Sequence, residues 1–135
     1  MEYMVKELAA AGIAALLALK INRAMVNRFG EGAVKFLIPI GEEGLKTGLA
    51  LLFGLSVPVV HLSFGLYEAG YDLLANPGSG STKRWTAALL AITGHGLFGW
   101  VTWQLIRLKG SIILAAVSAS AVHVVWNIIV LIIKR

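Results

Sequence analysis

The sequence predicts an all-α fold, a polytopic membrane bundle of about five transmembrane helices. Three observations carry this prediction. Of 135 residues, 58% are hydrophobic and only 14% charged, too apolar a balance for a soluble domain. Several separate apolar runs reach about 19 residues or more, and each can cross a hydrocarbon core of roughly 30 Å at 1.5 Å per residue. The period-two alternation of a membrane β-barrel is absent. The length limits the chain to one integral membrane domain over residues 1–135. No cysteine is present, which excludes disulfides, iron–sulfur clusters, cysteine zinc sites and a thiol nucleophile. The net charge of +5 reads as the basic loop bias of a membrane protein, with no nucleic acid as partner.

The first span is the weakest. Leu8 to Leu19 is apolar, and the run extends to Tyr3–Ile21 if Lys6, Glu7 and Lys20 reach outward along their stems. Nothing polar marks its middle, so it reads as scaffold. The start does not read as a cleavable signal, because Glu2 and Glu7 offset Lys6. A basic connector follows, with Lys20, Arg23, Arg28 and Lys35 around Gly30. The second span is Ala33–Phe53, which Pro39 is expected to kink one turn before two glutamates. A break at Gly54–Ser56 leads to the third, Val57–Ala75, carrying His61, Phe64, Glu68 and Asp72. Turn formers fill Asn76-Pro77-Gly78-Ser79-Gly80-Ser81, and Lys83-Arg84 follow. The fourth span, Trp85–Leu108, holds His95 among glycines. After a turn at Arg107–Gly110, the fifth, Ser111–Ile133, carries His123 and Asn127 before Lys134 and Arg135. The side with the first and third loops and the C-terminus holds eight basic residues against three on the other. That bias predicts a cytoplasmic C-terminus, in a protein integral to the cell membrane.

The second span contains Glu42-Glu43-x-x-Lys46 inside an otherwise apolar run. A charge at such a depth costs on the order of 2.5–3.5 kcal/mol, so three within five residues call for a function or for close partners. Lys46 lies one turn from both carboxylates and can pair with either. Counting along each span puts Glu42, Glu43, Glu68, His95 and His123 roughly 13–18 Å into the membrane, near its midplane. His61, four residues past Val57, counts to the outer interface and is expected outside the site. Helical spacing gives inward faces of small residues: Ala88, Ala91, His95, Gly99 and Thr102; Ala116, Ser120, His123 and Asn127; Gly65, Glu68 and Asp72. Gly41, Gly44 and Gly48 make a further stripe.

On these residues the chain resembles a known family. Glu42-Glu43-x-x-Lys46, Phe64-x-x-x-Glu68, His95 and His123-x-x-x-Asn127, in that order on successive helices, are similar to the motifs of the PrsW-type branch of the CAAX-protease and bacteriocin-processing superfamily. Type II CAAX prenyl endopeptidases usually have an arginine after the paired glutamates and a histidine after the phenylalanine. Lys46 and Glu68 at those places match the PrsW-like variant. The resemblance covers about residues 36–127 and implies intramembrane hydrolysis of a peptide bond in a membrane-protein or peptide substrate. Its implied catalytic set is Glu42, Glu43, Lys46, Glu68, His95, His123 and Asn127.

The residues allow that chemistry. Lys46 would hold one of Glu42 and Glu43 ionised as a general base for water, and the other would orient the water. His123 and Asn127 would donate to the carbonyl oxyanion, with His95 and Glu68 completing the water site. No cofactor is required by this scheme. A zinc ion on His95, His123 and one glutamate is the alternative, without an HExxH motif to support it. Two other classes fit the same residues: a non-catalytic scaffold like the multi-span subunit of gamma-secretase in that superfamily, and a small ion- or proton-coupled transporter.

Overall fold

The structure, a computed structural model, describes residues 2–75 and 80–133. Its described residues form six helices and no strand: α1 Glu2–Phe29, α2 Glu31–Lys35, α3 Leu37–Leu52, α4 Val57–Ala75, α5 Ser81–Lys109 and α6 Ile112–Ile133. The Asn76–Ser79 part of the turn-rich loop and the basic pair Lys134-Arg135 lie outside the described residues.

Six helices replace the expected five because the second apolar run is divided. Pro39 has no N–H to offer the carbonyl of Lys35, and its ring would strike that carbonyl. The helix therefore stops at Lys35, Phe36 takes up the break at φ −122°, and α3 restarts at Leu37 with Pro39 in its first turn. The change of direction falls nearer the start of the run than the expected kink. The basic connector is also not a loop. Lys20, Arg23 and Arg28 continue α1, which runs 28 residues to a reversal at Gly30, φ +64°.

Helix α3 ends where the sequence indicated. Gly54 takes φ +62°, the Leu55 N–H donates to the Ala50 carbonyl at 2.7 Å and the Gly54 N–H to Leu51 at 3.2 Å. This double closure satisfies the last carbonyls and folds α4 back along α3. Helix α5 ends at Gly110, φ +64°, and Ser111 Oγ then accepts the Leu114 N–H at 3.2 Å to start α6.

Helix α3 touches α1, α2, α4 and α6, while α5 packs on α4 and α6 and closes the ring. The α4–α5 contact is the closest. A Cβ on Gly99 would lie 2.6 Å from His61 Cβ, and one on Gly65 would lie 3.0 Å from both the Ala91 carbonyl and His95 Cβ. The faces expected to point inward on α5 do so, since Ala88, His95, Gly99 and Thr102 are all buried. The glycine stripe of α3 does not. Glu42, Glu43, Lys46, Thr47 and Ala50 occupy the inner face, so at 100° per residue Gly41, Gly44 and Gly48 are turned outward and are exposed.

Among the described residues, two helices are long and apolar enough to cross a membrane, Ser81–Lys109 and Ile112–Ile132. Beside an apolar core, charged and polar side chains are buried while many large apolar ones are exposed. Glu43, Lys46 and His61 are fully buried, while Leu52, Leu108 and Ile113 are 74%, 73% and 78% exposed.

The tight α4–α5 approach has a measurable consequence. Gly99→Ala should destabilise the purified protein by about 1–3 kcal/mol through forced repacking. Gly48→Ala, with nothing within 4 Å of the added carbon, should leave the unfolding midpoint unchanged or raised. Equal midpoints for the two variants would contradict the packing.

Candidate functional site

Glu43 and Lys46 face the centre of the bundle from consecutive turns of α3 and are both fully buried. Lys46 Nζ donates to Glu43 Oε1 at 2.6 Å and to His95 Nδ1 at 2.8 Å. It also lies 4.6 Å from the centre of the Phe64 ring, so the ammonium meets a carboxylate, an imidazole lone pair and an aromatic face. This contact explains the phenylalanine of the Phe64-x-x-x-Glu68 motif.

The hydrogen bonds assign the imidazole tautomers. Lys46 can only donate, so His95 Nδ1 accepts and its Nε2 carries the proton, given to Glu68 Oε2 at 2.6 Å. Glu43 Oε1, paired with Lys46, also accepts from His123 Nδ1 at 3.0 Å. The Nε2 of His123 therefore faces the other way, and Glu42 Oε2 lies 3.9 Å from it. Phe98 stacks on His123, with ring centres 4.3 Å apart, and meets His95 edge-on.

Glu42 and Glu43 thus have different surroundings. Glu43 is held by Lys46 and His123. Glu42 accepts Asn22 Nδ2 on Oε1 at 2.7 Å and lines a cavity of about 250 Å³ with Glu68, His95, His123 and Asn127. Asn127 gives one amide N–H to the Val34 carbonyl at 3.0 Å, tying α6 to α2. All seven residues singled out in the sequence are therefore gathered in one cluster and along the wall of one cavity. Glu42, His95 and His123 each place a ligand atom within 4.8 Å of the others, close enough to hold a metal ion.

His61 corrects the depth count. It is fully buried, its Nδ1 faces Glu43 Oε2 at 3.5 Å, and its Nε2 meets Thr47 Oγ1 at 3.1 Å. The reason lies in the hairpin: Thr47 and His61 each stand seven residues from Gly54, so antiparallel α3 and α4 bring them level. Distance from the turn, and not distance from the start of the span, set the depth.

The first span is not bare scaffold either. Asn22, one turn past the buried Ala11, Ala14 and Ala18, reaches Glu42. Glu7, expected to reach outward, is buried and accepts the Ser56 N–H at 3.1 Å at the start of α4. Asn22 was detectable as the polar end of a small-residue stripe, and Phe98 as the residue one turn after His95 on the same face. No family model, curated protein or solved structure matches the chain.

The cluster predicts an order of stabilities. Lys46→Met leaves Glu43 buried without its cation and should cost about 3–5 kcal/mol. His61→Ala removes a neutral neighbour and should cost about 1–3 kcal/mol. Chemical unfolding should place Lys46→Met below His61→Ala and both below Lys6→Met, which alters an exposed pair. Lys46→Met unfolding with Lys6→Met would refute the hub role of the ion pair.

Proposed function

We propose that this chain is an integral membrane protein of five spans, with α2 and α3 together forming one, and that it hydrolyses peptide bonds near the bilayer midplane. The observation that carries the reading is the division of labour between the two glutamates. Glu43 is bound up by Lys46 and His123, while Glu42 and His123 Nε2 turn two acceptors 3.9 Å apart toward one cavity. A water within about 2.8 Å of both fits that gap.

Glu42 takes a proton from this water as the oxygen adds to the scissile carbonyl carbon. It returns the proton to the departing nitrogen as the C–N bond breaks. His123, oriented by Glu43, is the second acceptor of the water. The remaining N–H of Asn127 is the donor on the cavity wall for the oxyanion. His123 donates to that oxyanion only when its Nε2 is protonated, a narrower role than the sequence suggested. The order of the motifs, similar to that of PrsW-type proteins, supports the same class of reaction.

The membrane reading rests on the many exposed large apolar side chains, the buried charged ones and the two long apolar helices, α5 and α6. Lipid is then the surrounding partner, and the eight-to-three basic bias puts the C-terminus in the cytoplasm. Zinc on Glu42, His95 and His123 is the second reading, favoured by their 4.8 Å spacing. Against it, a metal on His95 Nε2 would have to displace the proton given to Glu68, while Lys46 keeps the other nitrogen as an acceptor. We therefore assign the metal-free mechanism. A scaffold would keep the same cluster as helix glue, and a transporter would use it to carry protons.

Glu42→Gln keeps shape and the Asn22 neighbour but cannot take a proton. New protein N-termini in membranes of cells producing the wild type should be absent with Glu42→Gln at equal amounts of folded protein. Cleavage persisting in Glu42→Gln, Glu43→Gln and the double variant would rule out glutamate catalysis. Identical N-termini in producing and non-producing cells would favour the scaffold. Separately, a reporter active only in the cytoplasm should work when fused after Arg135, and a well-expressed but silent fusion would reverse the orientation.

A further inference from the structure

His61 is fully buried in the polar cluster and takes no part in the hydrolysis scheme. Its two ring nitrogens meet two side chains one turn apart on α3. Nδ1 faces Glu43 Oε2 at 3.5 Å, and Nε2 meets Thr47 Oγ1 at 3.1 Å. Neither His61 Nδ1 nor Glu43 Oε2, both buried, has a hydrogen-bond partner elsewhere among the described residues. Neither residue lines the cavity beside Glu42, so water held there cannot satisfy them. A buried carboxylate oxygen left unpaired is costly, and the ring nitrogen opposite it is the available donor.

The tautomer follows from these contacts. With its proton on Nε2, the ring would turn the Nδ1 lone pair onto Glu43 Oε2, two acceptors without a donor in a dry site. With the proton on Nδ1, the ring donates to Oε2 and leaves Nε2 as an acceptor. The Thr47 hydroxyl then donates to Nε2, and both nitrogens are used. Helix α5 keeps the ring in place. A Cβ on Gly99 would lie 2.6 Å from His61 Cβ and 3.0 Å from Cγ, so the α5 backbone presses on the base of the side chain.

The contact bears on the reacting centre through Glu43. Lys46 and His123 both engage Oε1, and a carboxylate held at one oxygen can still turn about its last bond. A donor on Oε2 fixes the plane of the group. It thereby fixes the direction in which Oε1 receives His123 Nδ1. The opposite nitrogen, His123 Nε2, then keeps its place 3.9 Å from Glu42 Oε2.

We propose that His61, with its proton on Nδ1, is a positioning residue: it donates to Glu43 Oε2 and through Glu43 sets the orientation of His123. Thr47 fixes the tautomer. The effect on cleavage rests on the hydrolase reading, whereas the tautomer and the hold on His123 stand without it. His61 itself touches no reacting atom.

The test reads the rings directly. Nitrogen NMR of the full chain, with isotope-labelled histidine and in phosphatidylcholine nanodiscs, distinguishes protonated from unprotonated ring nitrogens. The signals lost in His61→Asn belong to His61. In the wild type they should show a proton on Nδ1 and an accepting Nε2. Thr47→Val should move the Nε2 signal to that of an unbonded nitrogen and leave the proton on Nδ1. A proton on Nε2 in the wild type overturns the proposal, and this measurement needs no variant to fold.

Substitution separates positioning from packing. An asparagine amide stands where Nδ1 stood, so His61→Asn keeps a donor for Glu43, while His61→Leu keeps the bulk without one. The His123 signals should stay near those of the wild type in His61→Asn and shift or broaden in His61→Leu. The yield of new N-termini per folded protein should hold within about threefold in His61→Asn and fall about ten- to a hundredfold in His61→Leu, the worth of a hydrogen bond to a charged group. Unchanged His123 signals in His61→Leu overturn the proposal, because filling the space would then be enough. The expected histidine signals without new N-termini in any sample would keep the hold on His123 and remove the hydrolase reading. Glu42-dependent cleavage undiminished in His61→Leu would do the reverse.

Discussion

The fully buried pair of Glu43 and Lys46 is the constraint on which the rest of the structure depends. Two opposite charges away from water need excellent geometry and additional hydrogen bonds, or their desolvation outweighs their attraction. Helix α3 supplies the geometry by placing them one turn apart. The other helices supply the bonds: His95 from α5 for the ammonium, His123 from α6 for the carboxylate, and the Phe64 face from α4. Two of these groups are held further: His95 donates to Glu68, and Phe98 stacks on His123. The arrangement of α3, α4, α5 and α6 follows from solvating a single ion pair.

This view separates two residues that are adjacent in sequence and identical in type. Successive residues on a helix diverge by about 100°. Glu43 therefore looks into the ion-pair network, and Glu42 looks past it to Asn22 and the cavity. One carboxylate is engaged through Oε1 by Lys46 and His123, and the other lies beside a cavity. On the hydrolase reading proposed above, the doubled glutamate combines a structural anchor with a reactive group on one turn.

The sequence was legible where a signal was local. The bounds Val57–Ala75 follow from a glycine break on one side and turn formers on the other. The inward face of α5 follows from its small residues. Matched depth counts grouped Glu42, Glu43, Glu68, His95 and His123, and these side chains meet in one cluster and along one cavity. The same count failed for His61, because it measured from an assumed membrane boundary while the tight closure at Gly54 sets the real register. Helical spacing, in turn, failed for the glycines of α3. A stripe of small residues and a stripe of charged ones lay on opposite faces, and only one of them could point inward.

Composition and periodicity by themselves determined that the chain is helical, which residues are too polar to face hydrocarbon, and which of them share a turn. Those properties depend on residues within a few positions of one another. The pairing of Asn22 with Glu42, of Glu7 with the start of α4, and of His61 with Thr47 and Glu43 was decided only by the tertiary structure. Each of these joins segments whose relative rotation and height no local pattern encodes. Burying the ion pair selects one rotation of α3, and the neighbouring helices take their positions from it.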